Sequence, residues 1–245
     1  MWDNAQLLRT VANLLFGLSL LLVLMGTARY VLQLKTFPLN TVQLSEAPKN
    51  SPKDLIEHVV HEQIRGNFFT VDLDKTRAAF EHLPWVRKVN VRRKFPWSLE
   101  VQLEEHKALA RWNGNSLVNT YGEIFTEKTE AALPAFFGQA NTSAQVTSMY
   151  DEFNKELQPM KQEVSQISLT PRYAWQIRLG NGMVLELGRE QMQQRLERFV
   201  NVYPYSLSTL SHTVKHIDLR YRNGFAAYLP NGSDALDKRT SGKKV

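Results

Sequence analysis

The sequence predicts an α+β protein carried on a single N-terminal membrane-spanning helix. Three observations carry that prediction. Val11–Met25 (VANLLFGLSLLLVLM) is almost uniformly apolar and lies in a run without charge from Thr10 to Ala28. Residues 51–103 show helical periodicity followed by two alternating strands. From Ala108 onward, short alternating runs separated by turn residues surround two amphipathic helical stripes.

As a helix, Thr10–Ala28 spans about 28 Å, close to the hydrocarbon thickness of a bilayer. Only Asn13, Ser19 and Thr27 interrupt its apolar residues, so it lacks the polar stripe of a core helix. The rival is a cleavable signal peptide, because Gly26-Thr27-Ala28 places small residues at a cleavage site after Ala28. The run is long for such a peptide, and Tyr30, Val31 and Leu32 continue it past Arg29, which favours an anchor. The expected layout is a short stub over 1–9 and a transmembrane helix over 10–32. Arg9 and Asp3 before the helix, against Arg29 and Lys35 after it, leave the orientation undecided by charge.

A hydrophobic fraction of 43% and a charged fraction of 22% are those of an ordinary folded protein. The absence of cysteine excludes disulfides, thiolate catalysis and Cys-based zinc sites. The net charge of +6 is modest and fits solubility, with attraction to anionic headgroups a weaker reading. Arg87-Lys88 and Arg92-Arg93-Lys94 alternate with Val86, Val89 and Val91, so they read as the solvent face of a strand rather than a nucleic-acid patch.

The first module is expected over 37–106 with the order βααββ. Leu39–Leu44 alternates as a strand. Ser51 can cap a helix with Pro52 at its first position, and Leu55, Ile56, Val59, Val60 and Ile64 face a core. Gly66-Asn67 ends that helix. Asp72 can cap a second one, burying Leu73, the Arg77 stem, Phe80 and Leu83. Pro84 breaks it, and Trp85, opening the strand Trp85–Arg93, is expected to close the core. Phe95-Pro96-Trp97 turns into the strand Leu99–Leu103.

The second domain is expected over 107–230 as a mixed α/β domain with an antiparallel sheet. Asn113-Gly114 and Tyr121-Gly122 bracket the strand Ser116–Asn119. A short strand at Pro134–Phe137 precedes the helical stripe Val146, Met149, Tyr150, Phe153 and Leu157. Val164–Leu169 is a strand. Tyr173, Trp175, Ile177 and Leu179 alternate, and Asn181-Gly182 turns into Val184, Leu185 and Leu187. Met192, Leu196, Phe199, Val200 and Tyr203 mark a helix closed by Pro204. Ile217, Leu219 and Tyr221 alternate, Asn223-Gly224 turns, and Phe225–Leu229 closes the sheet as its exposed edge. The Gly-, Ser-, Asp- and Lys-bearing tail, residues 231–245, is expected to be disordered.

Catalytic constellations are hard to find. His58 and His61 have a ligand-like spacing but no H-E-x-x-H order and no third partner, so they read as solvent-facing. His212 and His216 straddle the start of a strand. Asp72 and Asp74 are explained as a cap and first-turn charge. No G-x-S-x-G, P-loop or dinucleotide fingerprint occurs. The expectation is a protein that is not an enzyme and carries no catalytic, cofactor or metal residues.

Two stretches carry a resemblance. Leu83-Pro84-Trp85-Val86-Arg87-Lys88-Val89, with Phe95-Pro96 and Leu99–Leu103, resembles the second half of a POTRA domain. Ala110-Arg111-Trp112-Asn113 and Asp218-Leu219-Arg220-Tyr221-Arg222-Asn223-Gly224-Phe225-Ala226 resemble the FtsQ/DivIB family of bacterial cell-division proteins, in the family's order over nearly the whole chain. The resemblance implies an inner-membrane protein with a cytoplasmic N-terminus and periplasmic domains. It also implies a division scaffold that joins FtsB and FtsL and helps control septal peptidoglycan synthesis. The implied FtsB contact falls on Arg220, Tyr221, Asn223, Gly224 and Phe225, continuing through Ala226, Ala227 and Tyr228. Arg172 matches a basic position beside the same surface. A tryptophan often ends that strand in the family, and Leu229 stands there in this chain.

The rival classes are a POTRA-type secretion or outer-membrane assembly factor, which would continue into many membrane strands, and a periplasmic cell-wall enzyme, which would need a catalytic set. The anchor reading predicts that the mature protein keeps its N-terminus. N-terminal sequencing that began at Arg29 would instead reveal a cleaved signal peptide.

Overall fold

The structure is a computed structural model of the chain and describes residues 5–34, 37–39, 41–206, 214–222 and 224–228. The chain divides into two compact units, Met1–His106 and Lys107–Val245.

The first unit begins with α1 (Ala5–Gln33). Among the described residues it is the one helix long and apolar enough to cross a membrane, over Gln6–Gln33, and none of its most apolar window is buried against protein. Its serine and threonine hydroxyls fit an apolar solvent because each returns to its own backbone. Thr10 Oγ1 donates to the Gln6 carbonyl, Ser19 Oγ to Phe16 and Thr27 Oγ1 to Val23, each at 2.9 Å.

The sheet that follows has the order β1 (Thr41–Leu44), β3 (Ser98–Glu105), β2 (Val86–Lys94). β1 runs parallel and β2 antiparallel to the central β3. Two helices cover it: α2 (Lys53–His58), which passes into a π turn at Val59–Gln63, and α3 (Leu73–Glu81). Ile56, Val59, Phe80, Val89, Val91, Leu99 and Val101 form the core. Asp72 caps α3, its Oδ1 accepting the N–H groups of Asp74 and Lys75 at 3.1 Å.

Several local expectations are corrected. Ser51 caps nothing in α2. Pro52 is the N-cap, and Ser51 Oγ donates to the Pro84 carbonyl at 3.0 Å. Leu55 faces solvent while its neighbour Ile56 is buried. In α3 the buried position next to Phe80 belongs to Thr76, whose hydroxyl donates to the Asp72 carbonyl at 2.8 Å. Arg77 lies outside, paired with Asp74 at 3.0 Å. Trp85 is only partly buried and has a φ of 66°, so it is a turn residue ahead of β2 rather than the plug of the core. A bulge between Val86 and Lys88 lets Val86 and Val89, three apart, share the buried face. The basic residues of β2 stay outside, Arg87 and Arg92 reaching Glu104 and Glu100 at 2.8 Å.

In the second unit, β4 (Ala108–Trp112), β5 (Ser116–Asn119), β6 (Ile124–Phe125), β7 (Ala135–Phe137), β8 (Val164–Leu169), β9 (Trp175–Leu179), β10 (Val184–Gly188), β11 (His216–Asp218) and β12 (Ala226–Tyr228) form one sheet. Its order is β12-β11-β10-β9-β8-β7-β4-β5-β6. The sheet is mixed, with parallel pairs β4·β7, β7·β8 and β10·β11. α4 (Ser143–Leu157) lies between β7 and β8, and α5 (Met192–Ser206) between β10 and β11. These are the helical crossovers that parallel neighbours need. Phe136, Phe153, Ile167, Ile177, Leu185, Leu196, Phe199 and Ile217 are fully buried between sheet and helices. Gly122, at φ +80°, cannot carry a side chain, because a Cβ there would lie 2.4 Å from Ala144 Cα.

Several strand and helix ends differ from expectation, and β11 stops at Asp218, which leaves Leu219 and Tyr221 outside the strand. Tyr173 sits exposed in the β8–β9 turn at φ 59°, not in the strand. Met183, rather than Val184, points into the core. Pro204 lies inside α5, which continues to Ser206. The expected tail over 231–245 falls outside the described residues.

One carboxylate closes the first unit. Glu105 accepts the N–H groups of Lys49, Asn50 and Ser51 at 3.0, 3.1 and 2.8 Å. Burial alone would push its carboxyl up, but these hydrogen bonds outweigh that and hold it below its ordinary 4.5. Its stabilising effect is therefore complete above that ordinary value and lost as pH falls through the lower folded one. Glu105→Ala is expected to cost about 1–3 kcal/mol near neutral pH. Paired thermal melts should show the gap to wild type closing on acidification below the ordinary carboxylate range.

Candidate functional site

The residues singled out near the C-terminus meet at one edge of the second sheet. β12 is the terminal strand of that sheet and pairs with β11 through His216↔Tyr228, Ile217↔Ala227 and Asp218↔Ala226. Which backbone groups it leaves free follows from the strand behind it. The Val184 N–H donates to Lys215 O and the Leu219 N–H to Glu186 O, both at 2.9 Å. In a parallel ladder this turns the N–H and C=O of Ile217 toward β10 and those of His216 and Asp218 toward β12. Tyr228 and Ala226 therefore complete the ladder to β11, and the N–H and C=O of Ala227 face away from the sheet.

Side chains flank this free backbone. Phe225 packs edge-on against Phe199 of α5, with centroids 5.7 Å apart, and Ala227 rests on the same core. Tyr228, on the other face, is 65% exposed, and Tyr221, in the turn after β11, is 57% exposed. Tyr221, Arg222, Gly224, Phe225 and Ala226 line a shallow depression of about 370 Å³. Asn223 and Leu229 lie outside the described residues.

The turn is held by charge. Arg220 binds Asp218 through two hydrogen bonds, Nε to Oδ1 at 2.9 Å and Nη2 to Oδ2 at 2.7 Å, and reaches Glu186 at 3.2 Å. His216 lies 3.1 Å from the other Glu186 oxygen. The Arg220 guanidinium holds the Asp218 carboxyl below its ordinary value, and Asp218 in turn raises Arg220 above its own. Gly188, at φ +78°, leaves room for the Arg220 stem, since a Cβ there would sit 3.2 Å from Arg220 Cγ. From α5, Arg198 donates to the Arg222 carbonyl at 2.7 Å.

Arg172 stands exposed in the β8–β9 turn. Register puts it at the same end of the sheet as the β11–β12 turn, because Trp175 opposes Gly188, Glu186 opposes Asp218 and Asp218 opposes Ala226. Three strand spacings, about 14 Å, separate β9 from β12. The structure thus brings Arg220, Tyr221 and Gly224–Tyr228 together at the edge, with Arg172 set back from it. Glu186, Arg198 and Phe199 also build the site and were not singled out from sequence. Glu186 is one polar residue of an alternating strand, and only parallel pairing places it beside Arg220. Among the described residues no group of three His, Cys, Asp or Glu could hold a metal.

An apolar anchoring helix, a βααββ unit and a larger mixed-sheet domain define a membrane-anchored POTRA protein. Residues 37–106 match the profile described as POTRA domain, FtsQ-type, and residues 110–220 match Cell division protein FtsQ/DivIB, C-terminal. The chain is 40% identical to cell division protein FtsQ of Nitrosospira multiformis, over 93% of this chain and 98% of that one. It is 36% identical to FtsQ of Burkholderia pseudomallei, over 92% and 93%, and 37% identical to FtsQ of Bordetella pertussis, over 94% and 93%. The chain belongs to the FtsQ family of cell division proteins. The matched C-terminal region stops at 220, so β12 lies just beyond it.

The ion-pair account makes a measurable prediction. Arg220→Met keeps a stem over Gly188 and removes the charge. The Asp218 carboxyl should then titrate higher, toward its ordinary range, in carbon-detected NMR. An unmoved titration would show that Arg220 is not what holds it down.

Proposed function

We propose that this chain is a non-catalytic scaffold of the divisome that docks FtsB, and FtsL with it, by strand addition along β12. In this reading residues 1–9 are cytoplasmic and residues 10–32 cross the inner membrane. The POTRA domain over 37–106 and the second domain over 107–230 stand in the periplasm at the division septum. There the assembly helps to control septal peptidoglycan synthesis.

The observation that carries the reading is the outward-facing backbone of Ala227 on a sheet edge, flanked by the exposed Tyr221 and Tyr228. Edge strands leave unsatisfied N–H and C=O groups that natural proteins cover or block. Among the described residues nothing covers this one beyond β11. A partner strand would satisfy it, and the two tyrosines would supply side-chain contacts. The basic Arg172 would border the same end.

Ala227→Pro removes the one outward N–H of the described strand and leaves the ladder to β11 intact, so it should abolish strand addition without unfolding the sheet. Ala226→Pro should instead damage the ladder to Asp218. Tyr221→Ala should cost about 2 kcal/mol of binding or more. Calorimetric titration of the full chain in nanodiscs with the periplasmic part of FtsB tests this, with circular dichroism as the folding control. Wild-type binding by a folded Ala227→Pro protein would sink the edge-strand reading. A fluorescent fusion that failed to gather at midcell would sink the divisome scaffold itself.

A further inference from the structure

The passage from α1 into the first sheet brings aromatic rings to one end of the POTRA domain. Register defines that end. β1 starts at Thr41 opposite Ser98, and Ser98 also opposes Lys94, the last residue of β2. The loop over 66–71 joins them there. The buried Asn67 donates through Nδ2 to the carbonyls of Leu32 and Leu34 at 2.7 and 3.1 Å, at the end of α1 where carbonyls lack helical partners. Its Oδ1 accepts the N–H groups of Phe69 and Thr70. The Phe68 N–H donates to Phe37 O at 3.1 Å, and the Arg93 guanidinium holds the carbonyls of Phe68 and Val71 at 2.8 Å. The loop is tied to the helix and to the sheet at once.

On this frame Phe37, Phe69, Phe95 and Trp97 make one cluster. Centroids lie 5.2 Å apart for Phe37–Phe69 and Phe37–Trp97, and 5.9 Å for Phe95–Trp97. Phe95 is 79% exposed and Phe69 43%. A contiguous exposed apolar patch of this kind normally marks a contact surface. The charge-free run ends at Ala28, and Gln33 lies about 8 Å further along the helix. The headgroup layer is roughly 5–8 Å deep on each side of the hydrocarbon, so the loop bound to Leu32 and Leu34 stands at headgroup level. Aromatic side chains are enriched at that depth. The exposed Arg65 and Lys94 flank the rings, while Asp72 and Asp74 begin α3 beyond the loop.

We infer that Phe37, Phe69, Phe95 and Trp97 seat in the headgroup layer of the bilayer that α1 crosses, with Arg65 meeting anionic headgroups. The POTRA domain then rests on its membrane instead of swinging from a free tether. This rests on α1 as a membrane helix and is independent of how β12 is used.

The chain has no cysteine, so a single one introduced at Lys94→Cys carries a unique fluorophore. A control label at Lys49→Cys sits at the Glu105 end of β3, about 24 Å from the Ser98 end. The full chain is placed in nanodiscs of phosphatidylcholine with about one quarter phosphatidylglycerol. Headgroup-spin-labelled lipid should quench the label at position 94 about threefold or more over the label at 49. Phe69→Ser with Phe95→Ser should bring that ratio near one, and Phe95→Ser alone, which touches no core, should move it part of the way. Equal quenching at the two labels with native rings, or a ratio unmoved in both serine variants, would overturn the inference. So would a ratio that vanishes in pure phosphatidylcholine, because the contact would then be ionic and not aromatic.

Discussion

The pairing of β10 with β11 sets everything at the candidate site. Once Val184 and Glu186 have taken the Ile217 side of β11, only His216 and Asp218 can bind the next strand. The residue of β12 between their partners must then present its amide to solvent. A shift of one residue in that ladder would turn Ala227 inward and expose Ala226 and Tyr228 instead. It would also move Ala227 off the core and bring a polar face against α5, at a cost the buried Ile217 and Leu219 oppose. Core packing and edge chemistry are thus one constraint seen from two sides.

Charge reinforces that register without creating it. Glu186, Asp218 and Arg220 come from two strands and a turn, and they converge only if β10 and β11 run parallel in the observed register. Arg220 is largely exposed, so each pair contributes little by itself. Its value lies in geometry, since both nitrogens that reach Asp218 are used and the stem lies over Gly188. The turn leaving β11 is therefore aimed, and Tyr221 with it. Arg198 adds a hold from α5 on the carbonyl of Arg222.

The first unit solves a different problem with the same means. A helix leaving a membrane ends with carbonyls that have no intrahelical partner. Asn67 supplies donors to two of them, and its own carbonyl oxygen organises the loop that carries Phe68 and Phe69. At the opposite end of β3, Glu105 gathers three backbone N–H groups ahead of α2. Each end of the small sheet is fastened by one polar side chain that no periodicity announces.

Local chemistry was legible wherever it acts over a few residues. The apolar run of α1, the Asp72 cap, the stripes of α4 and α5, the alternation of β3, β8 and β9, and a closing strand within the expected Phe225–Leu229 all follow from neighbours along the chain. The sequence by itself also determined the family, through motifs spread over most of its length. Tertiary structure alone decided what depends on partners far away in the chain. Trp85 is a turn residue because β2 starts one position later, Thr76 displaces Arg77 because Phe80 fixes the face of α3, and Tyr173 and Tyr221 leave their expected strands where the pairing stops. The union of Glu186 with Arg220 and the outward turn of Ala227 belong to this second group. Side-chain periodicity tells which face of a strand is buried, whereas the direction of its N–H groups is set by which neighbour it pairs with, and that choice is made only in the folded sheet.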